Sequence, residues 1–131
     1  MRKAAGIHLA EVRPAAIPGG MSDSIRELTG RIREFSAARD WDAYHNAKDM
    51  AVAIAAEAGE LMQHFVWQQP EQIDARVEAK RAEIGSEMAD VGILLLEMAD
   101  RLGFDLGAEM AAKIDLNEER YPVGKAKGNN L

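Results

Sequence analysis

Four carboxylates stand out by their surroundings. Glu57 and Glu60 are three residues apart in "EAGE", and Glu87 and Asp90 are three apart in "EMAD". On a helix, residues i and i+3 share one face about a turn apart. The seven residues before Glu57, Met50 to Ala56, are all apolar, and Val91, Ile93, Leu94, Leu95 and Leu96 follow Asp90. An unpaired carboxylate in such surroundings is costly, so it pairs with a cation, takes a proton or binds a metal. If the two segments pack as helices, their acidic faces meet in one cluster of four. Too few Lys and Arg lie inside these segments to neutralise it. Hard divalent cations with oxygen ligands would do so, and Mg²⁺ prefers this chemistry. The chain carries 22 acidic residues, so either pair alone would more often be a solvated face. Two pairs, each in the most apolar part of its segment, weigh the metal site and the solvated face about equally.

"EMAD" recurs at 97–100. Ten residues along a helix turn a side chain by roughly 80° and carry it about 15 Å down the axis. The two copies cannot serve one ion. Glu97 reaches Arg101 at i+4, the pattern of an ordinary exposed ion pair. The second copy is therefore assigned to solvent or to a subunit contact. Glu60→Gln is expected to abolish activity and Glu97→Gln to spare it.

The elements that must hold these acids follow from periodicity. Residues 1–20 contain Pro14, Pro18, Gly19 and Gly20 and read as a flexible arm. Ser22 or Ser24 starts a helix that runs to about Ala38, with Ile25, Leu28, Ile32 and Phe35 at helical spacing. Residues 39–48 read as a connection. A helix over 49–65 is apolar almost all round and is expected to be buried. Pro70 punctuates the next turn, and 71–80 is a short helix or a mobile loop. A long helix over about 80–102 ends before Gly103, a C′ glycine. A last helix runs from Asp105 or Leu106 to Arg120, stopped by Pro122. The domain thus spans 21–122, with a loose tail over 123–131. No strand pattern occurs, and the reading is an all-α bundle of four to five helices.

The bulk composition bounds the function. At 131 residues the chain suffices for one domain with a core. It has no cysteine, which excludes disulfides, thiolate metal sites and cysteine nucleophiles. A net charge of −6 argues against a nucleic-acid polymer as partner. No apolar run is long enough to span a membrane, and the basic start lacks a continuous apolar core, interrupted as it is by Glu11 and Arg13, so no signal peptide is expected. A cytoplasmic location is expected.

"EAGE", 26 residues and then "EMAD" resembles the ExxE…ExxD signature of the MazG-like nucleoside triphosphate pyrophosphohydrolases. "RDWDAYHNAKDMAVAIAAEAGELMQHFVW" and "KIDLNEERYP" look most like the dCTP pyrophosphatase branch, and the likeness covers about 22–122. The resemblance implies a MazG-like helical bundle that splits (deoxy)nucleoside triphosphates into monophosphate and pyrophosphate to clear the nucleotide pool. It implies Mg²⁺, with Mn²⁺ as a substitute, on Glu57, Glu60, Glu87 and Asp90, with Glu57 and Glu60 as candidate catalytic bases. It sets Trp41, His45 and Trp67 near the nucleoside and Lys48, Lys113 and Asn117 near the phosphates, with Arg120 a weaker candidate. It implies a homo-oligomer, a tetramer built as a dimer of dimers; helices apolar nearly all round independently call for oligomerisation. His64 falls where the family has an apolar residue and is given a structural role. Ile32 and Leu94 stand where the dCTP branch has a histidine and a tyrosine, which puts strict cytosine preference in doubt and opens the pocket to other dNTPs.

Two other classes remain. A di-iron carboxylate bundle needs Glu-x-x-His motifs, but His64 is four residues after Glu60 and no second such histidine exists. A non-catalytic oligomeric helical regulatory or interaction protein would turn the four acids outward or pair them with Lys and Arg.

Overall fold

A computed structural model describes residues 24–44 and 46–126. These are helical throughout, with no strand among them. Five helices, α1 (Ile25–Ala37), α2 (Ala47–Gln63), α3 (Ile73–Ala79), α4 (Arg81–Leu102) and α5 (Leu106–Arg120), are joined by short connections, and a single turn follows at Val123–Ala126. Ile25–Asp105 forms one compact unit, and α5 with the turn after it belongs to another. No helix among the described residues is long and apolar enough to cross a membrane.

The larger unit is organised around α4, against which α1, α2 and α3 all pack. Its ends are set by local chemistry. Gly103 sits at φ 78°, its N–H donating to the Asp100 carbonyl while the Phe104 N–H reaches back to Ala99 at 2.8 Å. This is a Schellman closure, which favours glycine because a Cβ disfavours that conformation. The start of α2 lies two residues earlier than the hydrophobic pattern indicates. Asn46 caps it, its Oδ1 accepting the Asp49 N–H at 2.8 Å while its Nδ2 donates to the Asp49 carboxylate. Residues 71–80 form a short helix and not a loose loop. Gln69 and Gln72 close its entry turn behind Pro70, and Arg76 Nε donates to the His64 carbonyl at 2.9 Å, tying α3 to the end of α2.

The expectation that α2 is buried fails within a single chain. Of the apolar side chains described, only Met50, Ile84 and Ala99 are buried, while Val52, Met62 and Met88 are more than half exposed. Three helices around one leave each with an uncovered side. The flexible arm of residues 1–20 and most of the loose tail lie outside the described residues, as does His45.

Candidate metal centre and adjoining cavity

α2 supplies Glu57 and Glu60, and α4 supplies Glu87 and Asp90. Packing of α2 on α4 brings carboxylate oxygens of Glu57, Glu87 and Asp90 within 4.8 Å of one another. Glu60 is not part of that triangle and is exposed, though it is close enough for its charge to act on Glu57. The expected pocket of four buried acids is therefore a half-open one: Glu57 and Glu87 are half-buried and Asp90 is exposed. Burial, followed by repulsion from Asp90, Glu87 and Glu60, raises the Glu57 carboxyl above the ordinary carboxylate range.

A divalent ion fits this donor set. Carboxylate oxygens are hard ligands, and an ion binding them at roughly 2.0–2.6 Å spans roughly 4–5 Å between opposite ligands, which matches the spacing found. His64 borders the triangle, its Nε2 4.0 Å from a Glu87 oxygen, while its buried Nδ1 meets no hydrogen-bond partner among the described residues.

Beside the acids, a cavity of about 870 Å³ runs along α4 and α1. Glu57 and Asp90 stand at its edge, and Ile32, Phe35, Leu94 and Trp41 form apolar wall. Ile32 and Leu94 are thus cavity residues and not plain core. Trp41 packs edge-on against Phe35, ring centroids 5.6 Å apart. The chain reaches Trp41 through Asp40, which adopts φ 52°, a left-handed conformation that Asp tolerates better than most residues.

The second "EMAD" does not face solvent. Glu97 is only 9% exposed and lines the same cavity. Ser36 Oγ donates to its Oε1 at 3.0 Å, and Arg101 donates to that oxygen through Nε and Nη2. Arg101 also donates to the Asp42 carbonyl and carboxylate. Asp100 receives a two-bond clasp from Arg33, whose guanidinium holds its carboxyl below the ordinary range. The i,i+4 pair of Glu97 and Arg101 is present as the spacing indicated. What spacing could not reveal is that α1 covers this side of α4, because that depends on packing between distant segments.

The remaining candidates are dispersed. Lys48 is exposed in the first turn of α2, and Trp67 is 81% exposed beyond its end. Lys113 and Asn117 lie on exposed positions of α5, in the other unit, where Lys113 borders a shallow hollow of about 480 Å³ with Met110 and Leu116. The exposed Arg120 ends that helix.

Comparison with known proteins yields consistent matches. Residues 52–130 match the model of the MazG-like family. The chain is 34% identical over 98 residues to dCTP pyrophosphatase 1 of Bos taurus and of Mus musculus, covering 73% of this chain and 58% of each relative. It is 33% identical over 124 residues to dCTP pyrophosphatase 1 of Homo sapiens, covering 88% of this chain and 71% of that one. It therefore spans less than two thirds of the bovine and mouse relatives. Its backbone resembles the crystal structure of a pyrophosphatase from Archaeoglobus fulgidus with a TM-score of 0.71 at 33% identity, over 75% of this chain and 92% of that chain.

Proposed function

The chain belongs to the MazG-like family, and on that premise we propose that it hydrolyses nucleoside triphosphates, dNTPs among them, to the monophosphate and pyrophosphate. The observation that carries the reading is the meeting of Glu57, Glu87 and Asp90 in one triangle. The names of the relatives, dCTP pyrophosphatases and a pyrophosphatase, support it.

On this reading the three carboxylates, with Glu60 one turn along α2, hold Mg²⁺, for which Mn²⁺ substitutes. When bound, the cation lets an acidic site accept an anionic triphosphate, activates water and stabilises charge on the leaving group. Water attacks the α-phosphorus. The bond from that phosphorus to the oxygen bridging to the β-phosphorus breaks, and the oxygen leaves with pyrophosphate. Glu57 and Glu60 are the candidates for taking the water's proton. Trp41 stacks on the base, a contact worth about 1–3 kcal/mol, with His45 and Trp67 closing on the nucleoside. Lys48 is assigned to the phosphates, and the family resemblance assigns Lys113 and Asn117 to them as well. The role is clearance of unwanted nucleotides in the cytoplasm by a homo-oligomer, a dimer of dimers.

The metal site is tested by calorimetric titration with Mn²⁺. Glu87→Gln and Asp90→Asn are expected to weaken binding by about 10-fold or more, and Glu60→Gln to abolish hydrolysis. Mn²⁺ binding by Asp90→Asn equal to the wild type would contradict the assignment.

A further inference from the structure

The short turn Trp41–Tyr44 carries Trp41 onto the wall of the cavity beside the acids. It is poorly equipped to stay there by itself. A 3₁₀ turn of four residues has weak internal hydrogen bonding. The chain also enters it through Asp40 at φ 52°, a conformation that persists in a non-glycine residue only where the surroundings impose it. Those surroundings are α1, where Phe35 meets Trp41 edge-on, and one side chain of α4.

That side chain is Arg101. Its Nη2 donates to Asp42 Oδ1 at 2.6 Å and its Nη1 to the Asp42 carbonyl at 3.1 Å. Its Nε and Nη2 donate to Glu97 Oε1 at 3.3 and 3.0 Å, and Ser36 of α1 donates to the same oxygen. The donors of a guanidinium lie in one rigid plane, so anchoring it on Glu97 also fixes where it holds Asp42. The Arg101 side chain is 20% exposed and that of Glu97 10%, so the tie is not a freely solvated surface pair. Arg101 stands roughly 16 Å along α4 from Asp90 and is not among the residues that line the cavity. Its influence on anything bound there must pass through the turn. A wall already held in place need not be ordered by the ligand, and the saving appears as affinity.

Resting on the hydrolase reading, in which a nucleoside fills this cavity, we propose that Arg101 is a positioning residue for nucleotide binding. It latches the Trp41–Tyr44 turn to α4 through Asp42, and so sets the wall that Trp41 presents to the nucleoside. Arg33 and Asp100 supply the natural comparison. They also tie α1 to α4 by a two-bond clasp, yet neither touches the turn or lines the cavity.

Equilibrium binding tests this without turnover. The α,β-imido analogues of the dNTPs with Mg²⁺ and, separately, Mn²⁺ alone are titrated into the wild type, Arg101→Lys, Asp42→Ala and Arg33→Lys. A lysine keeps the charge but cannot span both partners as a fork. Asp42 is 57% exposed on its side chain, so Asp42→Ala frees the turn and keeps Glu97 paired, which carries the test should Arg101→Lys fold poorly. Analogue affinity is expected to fall about 10-fold in Arg101→Lys and about threefold in Asp42→Ala. Mn²⁺ affinity is expected to stay within about twofold of the wild type in both, because the triangle is distant from the latch. Arg33→Lys is expected to bind the analogues as the wild type does. Wild-type analogue affinity in Asp42→Ala and Arg101→Lys would overturn the proposal. So would an equal loss in Arg33→Lys, which would reduce Arg101 to a tie between helices, or a loss of Mn²⁺ binding in step with that of the analogues. A wild type that binds Mn²⁺ but none of the analogues would overturn the hydrolase reading together with this one.

Discussion

At the scale of single residues, charge environment decides stability as well as chemistry. Glu57 and Asp100 are perturbed in opposite senses. The Glu57 carboxyl is raised by burial and by its acidic neighbours. A group raised in the folded state adds stability below its unfolded value and loses it as pH rises through the folded one. Without metal, then, Glu57→Gln should raise the melting temperature at neutral pH, and the gain should vanish in acid. Asp100 is lowered by its clasp with Arg33, so its contribution is present above its unfolded value and is lost as pH falls through the folded one. Asp100→Asn should therefore destabilise the protein at neutral pH and matter little in acid. Thermal melts across pH in a chelating buffer check both signs; parallel profiles for the two variants would contradict them. All four acids of the proposed cluster were read from their i,i+3 spacing in apolar surroundings, and Glu57, Glu87 and Asp90 are the three that meet. The burial of Glu97 was not, because its sequence neighbourhood is that of an ordinary surface ion pair, and the bond from Ser36 comes from a distant segment, α1.

At the scale of elements, periodicity located every long helix, and the errors fell where a cap or a partner decides. The start of α2 was misjudged by two residues because Lys48 and Asp49 look like loop polarity. The signal present was the cap itself, Asn46 with Asp49 three residues on, and it outweighs the lack of apolar residues in the first turn. Asn46→Ala should cost about 1 kcal/mol, read as a lowered denaturation midpoint at unchanged slope. Because α2 carries Glu57 in its third turn, the same variant should also weaken Mn²⁺ binding where fraying reaches that turn; a midpoint equal to the wild type would show that the cap does not hold the helix. The polar segment 71–80 was ambiguous in sequence for a physical reason. A helix of seven residues is not stable alone, and what holds α3 is its contact with α4 and the bond from Arg76 to the His64 carbonyl. Such bonds between segments leave no periodic trace.

At the scale of the whole molecule, the sequence reads as helices apolar nearly all round, which one chain cannot cover by itself. Within one chain those helices stay largely uncovered, with Val52, Met62 and Met88 more than half exposed. Apolar surface on this scale favours association, and a homo-oligomer is the expected outcome, measured as a mass of two or four chains by light scattering. A monomer at micromolar concentration would contradict that expectation. The all-helical class was legible throughout from composition and spacing, since strands need an alternation that the chain never sustains. The substrate was reachable only through likeness to a family, because a triangle of acids fits any polyanion that arrives with a divalent cation. On the proposed function this triangle, loaded with such a cation, splits the α–β bond of a nucleoside triphosphate. The most direct measurement is incubation of the purified protein with each dNTP and NTP, with and without Mg²⁺, followed by separation of the products. Equal amounts of monophosphate and pyrophosphate, formed only with the metal and lost in Glu60→Gln, are predicted; orthophosphate release, or no metal-dependent turnover of any nucleotide, would contradict it.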